Sequence, residues 1–342
     1  MSEIRSAAGR VLVIVVARIG DTLLVTPALR AIGQAFPGGR LVVMAHPKRK
    51  AVLEHLPFVG EVKSITKHSA RLKGWLGRSR FDIAFVYGAD ASLVAYALRV
   101  ARRVYAFDRL GDAIISPRLT SVAPPSASLH AVEERLLLPR AAGIEAGDMR
   151  LAYRVTPAEQ ARARDWIARH IGPEAHPLIG IQMFSFPTKS HRDWPVGHFI
   201  ELMQRTIARY NRCRFVILGD KSAHARCAEV LRALPQHVVI AAGRFSLREN
   251  AAIIQQLDLY VGVDTGPTHI AGALGVNMVA LYHYSYPGRN LAPLAHPGCR
   301  IVEHPLTLVP GRHEAGMEQI SVDRVWEEAR ALLEARTQAS SP

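Results

Sequence analysis

Apolar positions in this chain fall into short unbroken runs. Between the runs, apolar residues return every three or four positions. The runs VLVIVVA (11–17), LVVMAH (41–46), FDIAFVY (81–87) and VYAF (104–107) predict strands in the first half. The spacing over 22–36 and 89–101 predicts helices between them. The second half repeats the alternation. Strands are predicted at 178–183, 214–220, 238–243, 259–264 and 277–283, and helices at 196–210, 222–234, 247–257 and 267–274. Continuous apolar strands separated by amphipathic helices make parallel sheets covered on both faces.

The two halves meet in a Pro/Ser-rich loop, SVAPPSASLH (121–130), and in TPAEQARARDWIARH (156–170), a helix with a Thr cap and an early Glu. Pro173 and Pro177 then punctuate the next domain, and SVDRVWEEARALLEARTQ (321–338) is an uninterrupted amphipathic tail. A chain of 342 residues suggests two domains. The expected organisation is α/β, with two Rossmann-like domains of parallel sheets facing each other across a cleft. Residues 1–155 form the first, 156–320 the second, and 321–342 a C-terminal helix. Open sheets of this kind bind ligands beyond the carboxyl ends of their strands.

Composition narrows the function. No apolar run is long enough to span a bilayer, and MSEIRSAAGR has no signal-peptide core, so a cytoplasmic protein is expected. Three scattered cysteines fit a reducing compartment, and no ligand cluster argues for a metal or cofactor. The net charge of +14 is uneven: residues 1–155 hold 23 Lys and Arg against 12 acids. EVKSITKHSARLKGWLGRSR (61–80) is the densest patch, containing Lys67, Arg71, Lys73, Trp75 and Arg78. It reads either as a solvated basic loop or as a site for an anionic partner. An aromatic among cations favours a lipid surface. No nucleic-acid motif accompanies it, and no nucleic-acid partner is expected.

Two stretches carry candidate chemistry. In RIGDTLLVTPAL (18–29), Asp21 stands at the mouth of a buried strand, where it can cap a helix or act as an acid–base group. In YVGVDTGPTHIAGALGV (260–276), a strand ends at Asp264, and Thr265, Gly266, Pro267 and His269 open a helix. Free N–H groups and the positive dipole end at such a place suit a pyrophosphate; the plain alternative is a well-capped helix with a surface His. The absent G-x-G-x-x-G after the first strand argues against a nicotinamide enzyme.

RIGDTLLVTPAL, the W-P element of TKSHRDWPVGHF (188–199), GRFSLRE (243–249) and GVDTGPTHIAGALG (262–275) occur in this order and spacing. Together they resemble glycosyltransferase family 9, the ADP-heptose:lipopolysaccharide heptosyltransferases. The resemblance implies a GT-B fold whose C-terminal helix can cross back to the first domain. It also implies inverting, metal-independent transfer of heptose from ADP-heptose to the lipopolysaccharide inner core. The enzyme would work peripherally at the inner face of the cytoplasmic membrane. Asp21 matches the general base. Asp264, Thr265, Gly266 and His269 match the donor's diphosphate and sugar site. Phe245 falls where the family packs an apolar residue on adenine, and Thr188 where it offers a hydroxyl to the diphosphate. Two departures stand out. The family's lysine before the W-P element is Arg192 here, with Lys189 three residues earlier. The acid often found after LGD (218–220) is missing from KSAHAR. The second keeps open a different nucleotide-sugar or acceptor glycan. A non-catalytic nucleotide-sugar-binding protein is the reading from another class.

Overall fold

The structure is a computed structural model that describes residues 9–38, 41–73, 80–88, 90–108, 116–124, 126, 128–311 and 314–339, the side chains of 337 and 339 excepted. It divides into two compact units, residues 1–154 and 155–342. Each is built on a parallel sheet that is six-stranded among the described residues.

The first sheet comprises β1 (Val11–Val15), β2 (Leu41–Ala45), β3 (Glu61–Ser64), β4 (Phe81–Tyr87), β5 (Ala101–Phe107) and β6 (Leu119–Val122), in the order β3-β2-β1-β4-β5-β6. Val13 of β1 lies between Val43 of β2 and Phe85 of β4. Every residue of β1 and β2 is buried, as both-face coverage requires. The edge strands differ. β3 reads EVKS, half exposed, with Glu61 and Lys63 facing solvent, the charged pattern that protects a free edge. Such short polar strands give no apolar run, and β3, β6 and one second-sheet edge were not predicted.

The helix expected over 22–36 is two helices, Ile19–Leu23 and Thr26–Ala35. Pro27 explains the break. It has no N–H for the Leu23 carbonyl, which instead accepts from the Thr26 hydroxyl at 2.6 Å. Pro27 then serves as an early residue of the second helix.

The second sheet comprises β7 (Leu178–Gln182), β8 (Arg214–Ile217), β9 (Val238–Ile240), β10 (Leu259–Val263), β11 (Met278–Tyr282) and β12 (Cys299–Glu303). Its order, β12-β11-β10-β7-β8-β9, repeats the plan of the first. The predicted helix over 222–234 is interrupted. Asp220 caps a short helix Lys221–His224, a 3₁₀ turn follows, and Ala228–Ala233 completes the segment. The tail helix Val322–Ala339 buries Val325, Ala329, Leu332 and Leu333 in the core of this second unit, beside Phe199 and Leu202. Arg336 pairs with Asp258 at 2.7 Å, tying the helix to the base of β10.

In each sheet the strand order reverses beside the first strand: between β1 and β4, and between β7 and β10. Crevices at such reversals, beyond the carboxyl ends, are where open sheets bind ligands. Asp21 follows β1. The segment 185–192 follows β7, and Asp264 follows β10.

Candidate functional site

In the first unit, Asp21 lies in the short helix after β1. Its backbone is placed by the turn, whose Arg18 carbonyl accepts from Thr22 N–H at 2.9 Å and from the Thr22 hydroxyl at 2.7 Å. The Asp21 side chain remains 46 % exposed. Arg135, on the helix Ala131–Ala141, reaches it at 3.3 Å and binds Glu134 at 2.8 Å. The Arg135 side chain is only 17 % exposed, so its guanidinium is a fixed, partly dehydrated cation. The backbone beneath it is held by Tyr87, whose hydroxyl donates to the Arg135 carbonyl at 2.9 Å. Burial pushes the Tyr87 phenol far above its ordinary range, against the pull of Arg135, so it acts as a hydrogen-bond donor. Asp21, Tyr87, Gly88, Phe107, Glu134 and Arg135 line a cavity of about 110 Å³ at the end of the sheet. Arg135 and Tyr87 carry no motif of their own. The one sequence signal was that strand β4 ends at Tyr87.

The basic patch is partly engaged within this unit. Lys67 pairs with Asp90 at 3.0 Å, and Arg71 Nε donates to the Ser92 hydroxyl at 3.2 Å. Lys73 is exposed, and Leu72 before it is 83 % exposed. Trp75 and Arg78 lie outside the described residues. No helix among the described residues is long and apolar enough to cross a membrane.

In the second unit, the cations follow β7 on a 3₁₀ segment, Pro187–Arg192, kinked at Lys189. Asp193 fixes the ends of this segment. Its Oδ1 accepts from Ser185 N–H at 2.6 Å, and its Oδ2 accepts from Arg226 at 2.8 Å. The Ser185 hydroxyl sits within 2.7 Å of the Lys189 carbonyl and 2.6 Å of Asp193 Oδ1. Next to it, Trp194 is fully buried and donates from Nε1 to the Ile320 carbonyl at 2.9 Å, which anchors the W-P element in the core.

Asp264 organises the site. Its carboxylate is 9 % exposed and is held by Arg192 Nη1 at 2.8 Å on one oxygen and His269 Nε2 at 3.3 Å on the other. Thr265 occupies the N-cap position of the helix Gly266–Leu274, but its hydroxyl does not cap it. Instead it faces the Thr268 hydroxyl at 3.4 Å, and Thr268 donates to the Val263 carbonyl at 2.6 Å. Gly275, at φ 73°, closes the helix in the left-handed conformation. Arg192 Nε and His269 Nδ1 are buried and have no hydrogen-bond partner among the described residues. Buried polar atoms are rarely left so.

Tyr286, in the loop after β11, completes the group. The Arg192 guanidinium lies 4.8 Å from its ring centre, and Lys189 Nζ lies 3.1 Å from its hydroxyl. His191 and His283 meet edge to face alongside, 5.2 Å between centres. Burial, then the neighbouring His191 and His304, push His283 down to about 4. Burial, then Arg192 and Lys189, lower His191 as well. Tyr286 and His283 belong to YHYSYPG, a loop at the carboxyl end of a predicted strand whose aromatic residues were a signal left unread.

The structure thus gathers Lys189, Arg192, Asp264, Thr265, Gly266 and His269 at the β7–β10 reversal. Thr188 is exposed on the same 3₁₀ segment. Phe245 is half buried, with its ring edge-on to Trp166 at 5.1 Å. Asp21 belongs to the other unit. Among the described residues no group of three or more His, Cys, Asp or Glu is placed to hold a metal ion.

Several solved structures share this architecture. A glycosyltransferase family 9 protein from Veillonella parvula aligns with TM-score 0.78 and 20 % identity, over 96 % of this chain and 97 % of that one. ADP-heptose LPS heptosyltransferase II from Escherichia coli aligns with TM-score 0.76 and 22 % identity, over 96 % and 99 %. E. coli heptosyltransferase WaaC, solved with ADP, aligns with TM-score 0.68 and 18 % identity, over 94 % and 99 %. The fold is therefore of the GT-B type. No match was found among curated proteins. The sequence profile of glycosyltransferase family 9 (heptosyltransferase) matches residues 70–302, more than half of the chain. With that match, and with the family's D-T-G-x-x-H element built into a site at the sheet reversal, the chain belongs to glycosyltransferase family 9 (heptosyltransferase) and is a glycosyltransferase.

Proposed function

We propose that this enzyme transfers heptose from ADP-heptose to the inner core of lipopolysaccharide, with inversion and without a metal ion. The observation that carries the reading is the Arg192–Asp264–His269 group at the sheet reversal. These side chains, with Lys189 and the N-terminus of the helix Gly266–Leu274, suit a diphosphate. The structural neighbour solved with ADP supports the same choice of nucleotide. Asp264 would orient sugar hydroxyls, Thr188 would add a hydroxyl to the diphosphate, and Phe245 would offer an apolar face to adenine.

In this reading Asp21 is the general base. Its carboxylate is accessible and is held by Arg135 rather than buried in a cap. It takes the proton of the acceptor hydroxyl as that oxygen attacks the anomeric carbon from the face opposite the leaving ADP. The bond to the diphosphate breaks as the new glycosidic bond forms. Lys189, Arg192 and His269 take up the charge gathering on ADP. The cationic 61–80 segment, Lys67, Arg71, Lys73, Trp75 and Arg78 included, would meet the anionic glycolipid and the inner membrane surface.

The test is ADP release from ADP-heptose, with and without heptose-deficient lipopolysaccharide, in wild type and Asp21→Asn. Acceptor-dependent release that collapses in the folded variant is expected. No release by wild type would mean another donor or acceptor. The run Lys221–Arg226, whose only local acid is the capping Asp220, makes donor selectivity worth measuring against other nucleotide-sugars.

A further inference from the structure

We propose that Tyr286 is a positioning residue that holds the Lys189 ammonium and the Arg192 guanidinium as one two-cation clamp for the diphosphate of a nucleotide. This rests on the donor reading above and extends it to a residue that no motif identified.

Lys189 and Arg192 sit on one kinked 3₁₀ segment, yet their side chains converge on a single ring from another loop. The Arg192 guanidinium is 4.8 Å from the Tyr286 ring centre, and Lys189 Nζ is 5.3 Å from it and 3.1 Å from the hydroxyl. The ammonium donates to the phenol oxygen, and the π face attracts the guanidinium. A carboxylate in this place would fix both cations but cancel their charge. An uncharged hydroxyl and ring fix them and leave the charge for a ligand.

The need for such a device follows from the neighbours. Arg192 already neutralises Asp264 through Nη1, so the Lys189 ammonium and the part of the guanidinium left accessible are what a diphosphate meets. His191 and His283 add little positive charge at neutral pH, since burial and nearby cations hold both below the ordinary histidine range. A free lysine side chain loses considerable rotamer freedom when a ligand immobilises it. A lysine held in advance by Tyr286 loses less, which appears as affinity.

The experiment is calorimetric titration of the full chain with ADP and with AMP. Tyr286→Phe keeps the ring and removes the acceptor for Lys189. It should weaken ADP about 5-fold, the worth of one ordinary hydrogen bond. Tyr286→Leu removes the ring as well and should weaken ADP about 20-fold. AMP, lacking the second phosphate, should change less than about 2-fold in both variants. In a Lys189→Ala background, Tyr286→Phe should have almost no further effect on ADP, because the residue through which it acts is gone. ADP affinity unchanged in Tyr286→Phe overturns the proposal. So does equal weakening of ADP and AMP, which would mark a base contact or a scaffold role. A full Tyr286→Phe effect surviving without Lys189 also overturns it. If Tyr286→Leu fails to fold, the near-isosteric Phe variant still decides. A wild type that binds ADP no better than AMP would instead remove the diphosphate reading itself, and the clamp with it.

Discussion

The two sheet reversals of this protein have the same strand plan and opposite chemistry. At the first, a carboxylate stands nearly half exposed, and the less exposed partner is the cation, Arg135. At the second, the carboxylate is the buried group, and Arg192 and His269 close around it. A surface carboxylate is free to exchange protons. A buried one with two partners holds the side chains around it in place. Equal topology thus supplies two crevices, and burial sets how far water reaches the aspartate at each strand end.

Four measurements break or sharpen this contrast. The largest effect is expected at Asp21. Asp21→Asn should lower kcat by about 10²- to 10⁴-fold, the usual worth of a general base, with ADP affinity retained. A variant with near wild-type turnover would remove the general-base reading of Asp21. Next, Asp264→Ala leaves Arg192 without its buried counterion and His269 without its carboxylate partner. It should cost about 3–5 kcal/mol in a urea denaturation series. A loss below about 1 kcal/mol would show that this pair behaves like a surface pair and erase the distinction.

A third pair calibrates the buried case by pH. Glu159 binds Arg248 at 2.5 and 2.7 Å and caps the helix Pro157–His170. The Arg248 hydrogen bonds, working against burial, hold its carboxyl down to about 2, from an ordinary 4.5. A depressed carboxyl stabilises the fold above its unfolded value. That stability, about 2–3 kcal/mol, drains away as pH falls from about 4.5 toward 2. Arg248→Met should therefore flatten the pH dependence of the urea midpoint below pH 5. An unaltered slope would place the acid sensitivity elsewhere. The smallest effect is the stability change in Asp21→Ala, under about 1 kcal/mol, because Asp21 is nearly half exposed and Arg135 keeps Glu134. A thermal melt showing a loss as large as that of Asp264→Ala would contradict the surface role given to Asp21.

Much of the fold was legible because its signals are local. The central strands β1, β2, β4, β7, β10 and β11 are apolar runs, interrupted only by Asp82 in β4 and Gln182 at the end of β7, and the helices between them return apolar residues at helical spacing. Of the edge strands, β9 was legible and β3, β6 and β12 were not: EVKS and LTSV are short and half polar, and only a neighbour's hydrogen bonds make them strands. The split at Pro27 was readable in principle, since a proline inside a helical pattern marks a restart. The residues at the second reversal were singled out because D-T-G-x-x-H is contiguous. Arg135 and Tyr286 were not, because nothing nearby in the sequence announces them.

The sequence by itself determined the alternation of strand and helix, the family, and which strand ends carry Asp21 and Asp264. These depend on side-chain periodicity and on residues close together in the chain. Only the tertiary structure decided the partners. Arg135 reaches Asp21 across 114 positions, Tyr286 reaches Lys189 across 97, and Arg192 reaches Asp264 across 72. Such pairings are set by strand order and by the depth at which packing leaves each group. Depth also separates the two aspartates, through the dielectric around each charge and the water left to it.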